Sequence, residues 1–256
     1  SRATRRDRMR LFAAGPSINI LVTYIVLILL STISSGMVAS DEGVHARRII
    51  EGEAADSADL LPYETIIEID GVGVPDYSSF SSKMELLSAG DEVLLVVLSA
   101  PNLDEGRLER VVPVTMGDKY HYYIGLCDGD ESCIGETEDL LKRNEILPGE
   151  AFLGVSGLVS GSAGIDGFSN IVNGEYSIGE SALITFVSPL VMLQTPISLE
   201  GQTMILEERE MLVAGDGMIS SLLGIDLMLM LFDFFFWLVW INFLLGFANL
   251  ISMIPF

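Results

Sequence analysis

Trp240-Ile-Asn-Phe-Leu-Leu-Gly-Phe-Ala-Asn-Leu-Ile-Ser-Met-Ile-Pro-Phe256 closes the chain on an apolar helical pattern broken by Asn249 and Pro255. It ends an apolar run from about Leu227 to Phe256, and a second run extends from Leu11 to about Val38. Each exceeds the ~20 residues that a helix needs to cross about 30 Å of hydrocarbon. Soluble helices of roughly 8–20 residues are shorter. Half of the residues are hydrophobic and the mean hydropathy is +0.47. The expected fold class is therefore membrane α-helical, with at least two transmembrane helices. A core helix of a soluble protein is the alternative.

The charges orient these helices. Five of the 14 Lys and Arg lie in residues 1–10, and residues 11–256 hold 9 bases against 35 acids. Basic residues next to a membrane run stay in the cytoplasm. The expected order is a basic cytoplasmic flank (1–10), a transmembrane helix (11–38), an extracytoplasmic section (39–226) and a returning helix (227–256). The first apolar run is longer than a signal-peptide core of roughly 7–15 residues. Ser1-Arg-Ala-Thr-Arg-Arg reads as the middle of a protein, so both ends are expected to be cut. The acid excess argues against nucleic-acid binding. It fits either a high-salt habitat or an ordinary solvated acidic surface.

Residues 44–117 read as a compact α+β module. Arg48-Ile-Ile-Glu is a short strand, and Glu53 to Leu61 a helical turn. Glu64 to Val74 is a strand with a tight turn at Asp70-Gly71. Tyr77 to Ser88 is an amphipathic helix, and Glu92–Leu98 and Arg110–Thr115 are further strands. Residues 118–226 are acidic and rich in Gly and Ser, with one possible strand at Phe152-Leu-Gly-Val-Ser. Within them, the apolar segment 181–196 is interrupted by Pro189 and reads as interfacial, re-entrant or core.

No His-Glu-x-x-His, nucleophile elbow, phosphate loop or dinucleotide glycine pattern is present. The two histidines, His45 and His121, lie in the external section and read as ordinary residues, so no catalytic or metal-ligating residue is assigned within the chain. Cys127 and Cys133 are expected to form a disulfide outside the cytoplasm. Free thiols are the alternative, and two Cys without a nearby His make a poor zinc site. Asp226 and Asp233 read as interfacial and water-facing. Trp237 and Trp240 read as interfacial or lipid-facing, and Gly224 and Gly246 as points of close helix contact.

Polar residues inside membrane runs are functional candidates because they cost free energy there. Asn19 follows Gly15-Pro16, and Asn249 precedes Pro255. By helix rise Asn19 lies about 12 Å and Asn249 about 10 Å from the cytoplasmic side, so two antiparallel helices bring them to one level. These elements resemble the site-2-protease-type intramembrane zinc metalloproteases. In that family a Gly-Pro-x-x-Asn element opens one helix, and Asn-x-x-Pro-x-x-Pro-x-Asp-Gly marks another. Gly15, Pro16, Asn19, Asn249, Pro255 and Phe256 match, and Ser252 replaces the first Pro of the second motif. The expected Asp would fall one residue past Phe256.

The module 44–117 in turn resembles a PDZ domain of membrane and periplasmic proteases. It carries the family's Ala-rich turn, Leu and Ile-x-x-Ile-Asp-Gly order, with Tyr63 and Glu64 where Gly-Asp is usual. The resemblance implies a membrane-embedded zinc endopeptidase cleaving membrane-spanning proteins, with an α+β PDZ-like extracytoplasmic domain that binds a peptide. Asn249, Pro255, Asn19, Gly15 and Pro16 would line the active site. Zinc would activate water there, held by two His and an Asp outside this chain. The alternative is an inactive, membrane-anchored PDZ module that only binds peptides.

Overall fold

The computed structural model describes residues 5–102, 106–173 and 178–251. In chain order the elements are α1 (Arg5–Ser34), β1 (Met37–Ala39), β2 (Val44–Ile49), α2 (Ala54–Ser57), β3 (Thr65–Ile69), β4 (Val72–Gly73) and α3 (Tyr77–Met84). They continue with β5 (Glu92–Leu98), β6 (Glu109–Thr115), β7 (Gly117–Asp118), α4 (Lys119–Gly125), α5 (Glu131–Arg143), β8 (Ala151–Phe152) and β9 (Val155–Ser160). The last are α6 (Ala163–Asn173), α7 (Ile178–Ser198), α8 (Leu206–Glu210), β10 (Leu212–Ala214) and α9 (Met218–Ile251). They divide into a helical unit, residues 1–38 with 162–256, and a sheet unit, residues 39–161.

The sheet unit is larger than the 44–117 read from the sequence. Its main sheet has the order β6-β5-β3-β2-β9, with β4 folded onto β3. The edge strand β9 pairs antiparallel with β2 from Val44↔Ser160 to Ile49↔Val155, so a strand from residues 155–160 completes the sheet. The strand expected at 152–156 is divided between β8 and β9, because Gly154 and Gly157 break the apolar alternation and both take left-handed φ. In β5 the alternation is clean: Val93, Leu95 and Val97 are buried between exposed or half-buried neighbours. With Val112, Val114, Ile66, Ile69 and Phe80 they form the core.

The β3–β4 turn is at Asp70-Gly71, with φ 51° and 71°. Two consecutive left-handed residues make the turn whose twist suits a hairpin. Tyr63 takes φ 63°, a conformation that suits glycine, and its ring lies 5.8 Å from that of His45. Glu64 is buried, accepts from the Leu61 amide, and accepts two of the three hydrogen bonds of Arg110, at 2.9 and 2.6 Å, while the third goes to the Asp59 carbonyl. That hydrogen bond, followed by charge attraction, pushes the Arg110 guanidinium above its ordinary value. Between β7 and β8, α4 and α5 form a hairpin closed by a Cys127–Cys133 disulfide.

In the helical unit α1 and α9 are antiparallel. A Cβ on Gly36 would meet Met228, and one on Gly246 would meet Ile20. The described helices shift four sequence boundaries, the first being the start of α1 at Arg5, inside the flank expected over 1–10. α1 ends at Ser34, and β1 pairs with β10 where the first helix was expected to continue to 38. α9 starts at Met218, and Gly224 breaks it with φ 69° and ψ 166°. The apolar segment 181–196 belongs to the 21-residue helix α7. One side of α7 buries Met192 while Leu183, Phe186, Leu190 and Val191 stay exposed, so it is not a core helix. Ala14–Ser34 and Met218–Leu250 are apolar and long enough to cross a membrane.

Candidate functional site

The α1–α9 contact is built on large apolar side chains and closes most tightly at a glycine. α1 packs through Pro16, Thr23, Leu27 and Leu30, and α9 through Phe232, Phe236, Val239, Phe243 and Gly246. At Gly246 a Cβ would fall 2.8 Å from Ile20 Cδ1 and 3.4 Å from Asn19 Cβ. The glycine therefore sets the approach of the helices at the level of Asn19. Asn249 lies one turn further along α9 and is exposed.

Helical phase places the asparagines on one side. At about 100° per residue, Asn19 comes about 50° before the centre of the packed face of α1, and Asn249 about 100° before that of α9. In antiparallel helices the same sense of offset lies on the same side of the pair. Tyr24 and Trp240 are offset by a similar amount in the other sense. Both reach α7: Tyr24 donates to the Phe186 carbonyl at 3.3 Å, and Trp240 Nε1 donates to the Leu193 carbonyl at 3.4 Å. Each bond lands in a turn that a proline disrupts, Pro189 or Pro196. So α7 covers one flank, and Asn19 and Asn249 occupy the other.

The remaining sequence candidates fall as follows. Gly15 is exposed, and Pro16 is buried inside α1 and not at its start, because the helix begins at Arg5. Pro16 therefore removes a hydrogen bond within the helix. Pro255 and Phe256 lie outside the described residues. Asp233 is not simply water-facing: Arg209 donates to both its oxygens, at 3.0 and 2.9 Å, and Thr203 donates to one. Trp240 is a donor to α7, so it does not serve only as an interfacial ring.

The sheet unit carries a second candidate, a groove that the sequence did not reveal. It is lined by Phe80, Met84 and Leu87 beside α3, by Ile146 and Leu147, and by Leu158 of β9. Its signal in the sequence, Val155 and Leu158 separated by Ser156-Gly157, does not follow the period-two alternation of a strand. Beside Lys119 and Gly149 of its lining, Asp118 caps α4, accepting from the His121 and Gly149 amides. Burial by itself would raise the Asp118 carboxyl, but these bonds and the His121 ring, 2.8 Å away, hold it below the usual range. Asp76 caps α3 and is likewise lowered by the Ser79 amide.

The residues present do not fit a zinc site. Among the described residues no group of three His, Cys, Asp or Glu is placed to hold a metal. His45 is buried against Tyr63, His121 is exposed beside Asp118, and both cysteines are in the disulfide.

No curated protein matches the chain. A family model described as peptidase family M50 matches residues 1–256. This is the family of site-2-protease-type membrane metalloproteases. With its paired apolar helices and the match over its whole length, the chain belongs to peptidase family M50.

Proposed function

We propose that this chain forms part of a membrane-embedded zinc metalloendopeptidase that cleaves membrane-spanning proteins inside the bilayer. The observation that carries the reading is the Gly246 contact. It draws the Gly15-Pro16-x-x-Asn19 element of α1 against the turn of α9 that leads to Asn249. In this reading Asn19 and Asn249 line a polar, water-accessible flank for a substrate backbone, since irregular or hydrated backbone needs such partners at membrane depth. Zinc would be held by residues other than those described. The family match across the chain supports the peptidase assignment.

The sheet unit is proposed as a PDZ-like peptide-binding domain outside the cytoplasm. Its edge strand β9 is paired only on the β2 side in the sheet order, beside α3 and the apolar groove. An extended peptide adds to such an edge through backbone hydrogen bonds, with side chains in the groove. The disulfide supports an oxidising compartment. The same groove favours the second reading, an inactive membrane-anchored peptide-binding protein.

The deciding experiment uses the protein expressed from its full reading frame and reconstituted in phospholipid vesicles. A single-span substrate is added and the products are mapped by mass spectrometry. Cleavage within the span, abolished by a zinc chelator and restored by zinc, is expected. Peptide binding with no bound zinc and no cleavage would reject the peptidase and leave the second reading.

A further inference from the structure

Asn242 is a polar residue in the middle of α9 that neither sequence motif includes. It lies four residues before Gly246 and seven before Asn249. Seven residues are two helical turns to within about 20°, so Asn242 and Asn249 share one flank of α9. The flank is the one that carries Asn19 on α1, and it faces away from the Tyr24 and Trp240 bonds to α7.

The level on α1 opposite Asn242 is also polar. Because the helices are antiparallel and Gly246 meets Asn19 and Ile20, one turn back along α9 corresponds to one turn forward along α1. That turn carries Thr23, which is fully buried and donates to the Asn19 carbonyl at 2.9 Å. Polar groups thus recur at successive levels of the pair, with Thr23 in the packed face of α1 and Asn242 on the flank of α9 at one level, and Asn19 beside Gly246 at the next. Asn249 continues the series beyond Gly246.

Asn242 itself is half-buried, and its Nδ2 donates to the Leu238 carbonyl at 2.8 Å. That bond fixes the amide and orients it. Among the described residues no partner is present for Oδ1. A carbonyl acceptor held at a fixed angle within an apolar helix suits a donor such as a backbone N–H released from a helix.

We infer that Asn242 is a further substrate-positioning residue, accepting a backbone N–H of the membrane-spanning substrate about two turns from Asn249. The inference rests on the proposed peptidase reading and extends it. The substrate would lie along the flank opposite α7, unwound across both asparagines. Asn19 and Asn249 hold a chain only near the level of Gly246, which leaves its register free. A second contact about 10 Å away by helix rise fixes which bond is presented.

Two measurements on the full-length protein in vesicles test this. The first replaces Asn242 by Ala and by Gln and follows a single-span substrate. Asn242→Ala is expected to lower kcat/KM by about three- to tenfold, the loss of one neutral hydrogen bond, and to spread cleavage over neighbouring bonds. Asn242→Gln is expected to recover part of the rate and the single cleavage position. A purely structural asparagine would alter folding yield while leaving the cleaved bond the same. Asn242→Ala cutting at the same single bond, within twofold of the parent rate, overturns the inference.

The second measurement needs no cleavage, so it separates this inference from the peptidase reading. Asn242→Cys and Trp240→Cys are each oxidised with substrates carrying one cysteine along the span. Cross-linking from position 242 and none from position 240 is expected. Cross-linking from 240 in preference to 242, or from neither, overturns it. Cross-linking at 242 with a parent protein that shows no chelator-sensitive cleavage would retain the binding flank while rejecting hydrolysis.

Discussion

Replacing Gly246 tests the packing that the proposed site depends on. A Cβ there would lie 2.8 Å from Ile20 Cδ1, 3.0 Å from Ile20 Cγ1 and 3.4 Å from Asn19 Cβ, where carbon atoms prefer about 3.5–4.0 Å. The closest atom is the tip of a flexible side chain. Gly246→Ala therefore costs an adjustment of Ile20 of about 1 kcal/mol, which the better helix propensity of Ala offsets by a similar amount. Gly246→Leu adds three more carbons in front of Asn19 and the α1 backbone. Overpacking of that kind costs about 1–3 kcal/mol and is relieved by moving the helices apart by about 1 Å. A misplacement of about 1 Å at a catalytic centre lowers the rate by roughly 100-fold. The assay is kcat/KM for a single-span substrate in vesicles, with thermal unfolding measured in parallel. The expected result is a near-parent Gly246→Ala and a Gly246→Leu that folds but is about 100-fold slower. A folded Gly246→Leu within threefold of the parent would refute the packing argument.

Three further outcomes concern the sheet unit. Glu64→Ala leaves the Arg110 guanidinium without the partner that takes two of its bonds. Because Arg110 is 39% exposed, the loss should be about 2–3 kcal/mol, below that for a fully buried pair, by denaturant titration of the intact protein. Cys133→Ser opens a loop of sequence separation 6 and should cost about 2 kcal/mol by loop-closure entropy. Hydrogen exchange should quicken in α4 and α5 while β5 amides stay protected, and equal quickening in β5 would contradict a local role. Asp118 has a lowered carboxyl pKa in the folded protein. Its stabilisation is complete above the unfolded value of about 3.9 and is lost as pH falls through the folded value. Asp118→Asn should flatten the decline of stability below about pH 4, and an unchanged acid slope would show that the cap carries no linkage.

What was legible in the chain follows from how locally each feature is encoded. Apolar length fixed the two membrane-spanning candidates, since a run that long has few other stable solutions. Period-two alternation located β5 and β6, and Asp70-Gly71 located its hairpin, because side-chain direction and left-handed turns are set by neighbours in sequence. Asn19 and Asn249 stood out because polar groups in an apolar run are costly. The helix ends were less legible: Gly224 breaks α9 and β1 replaces the end of α1, and nothing in hydropathy distinguishes a helix from a short strand at these positions.

Tertiary structure decided the rest, for reasons that no local pattern contains. β9 became a sheet edge only by pairing with β2, more than a hundred residues earlier. The pairing enlarged the domain and created its groove. Gly246 gained meaning from Ile20 and Asn19 lying against it, and Tyr24 and Trp240 from both reaching α7. Sequence alone led to the expectation that two apolar helices carry asparagines at similar depth, whereas the packed helices set Gly246 opposite Asn19 and Asn249 one turn beyond. Which flank those asparagines share, and that Asn242 joins them, depended on the phase of two packed antiparallel helices, a quantity that exists only once both are in contact.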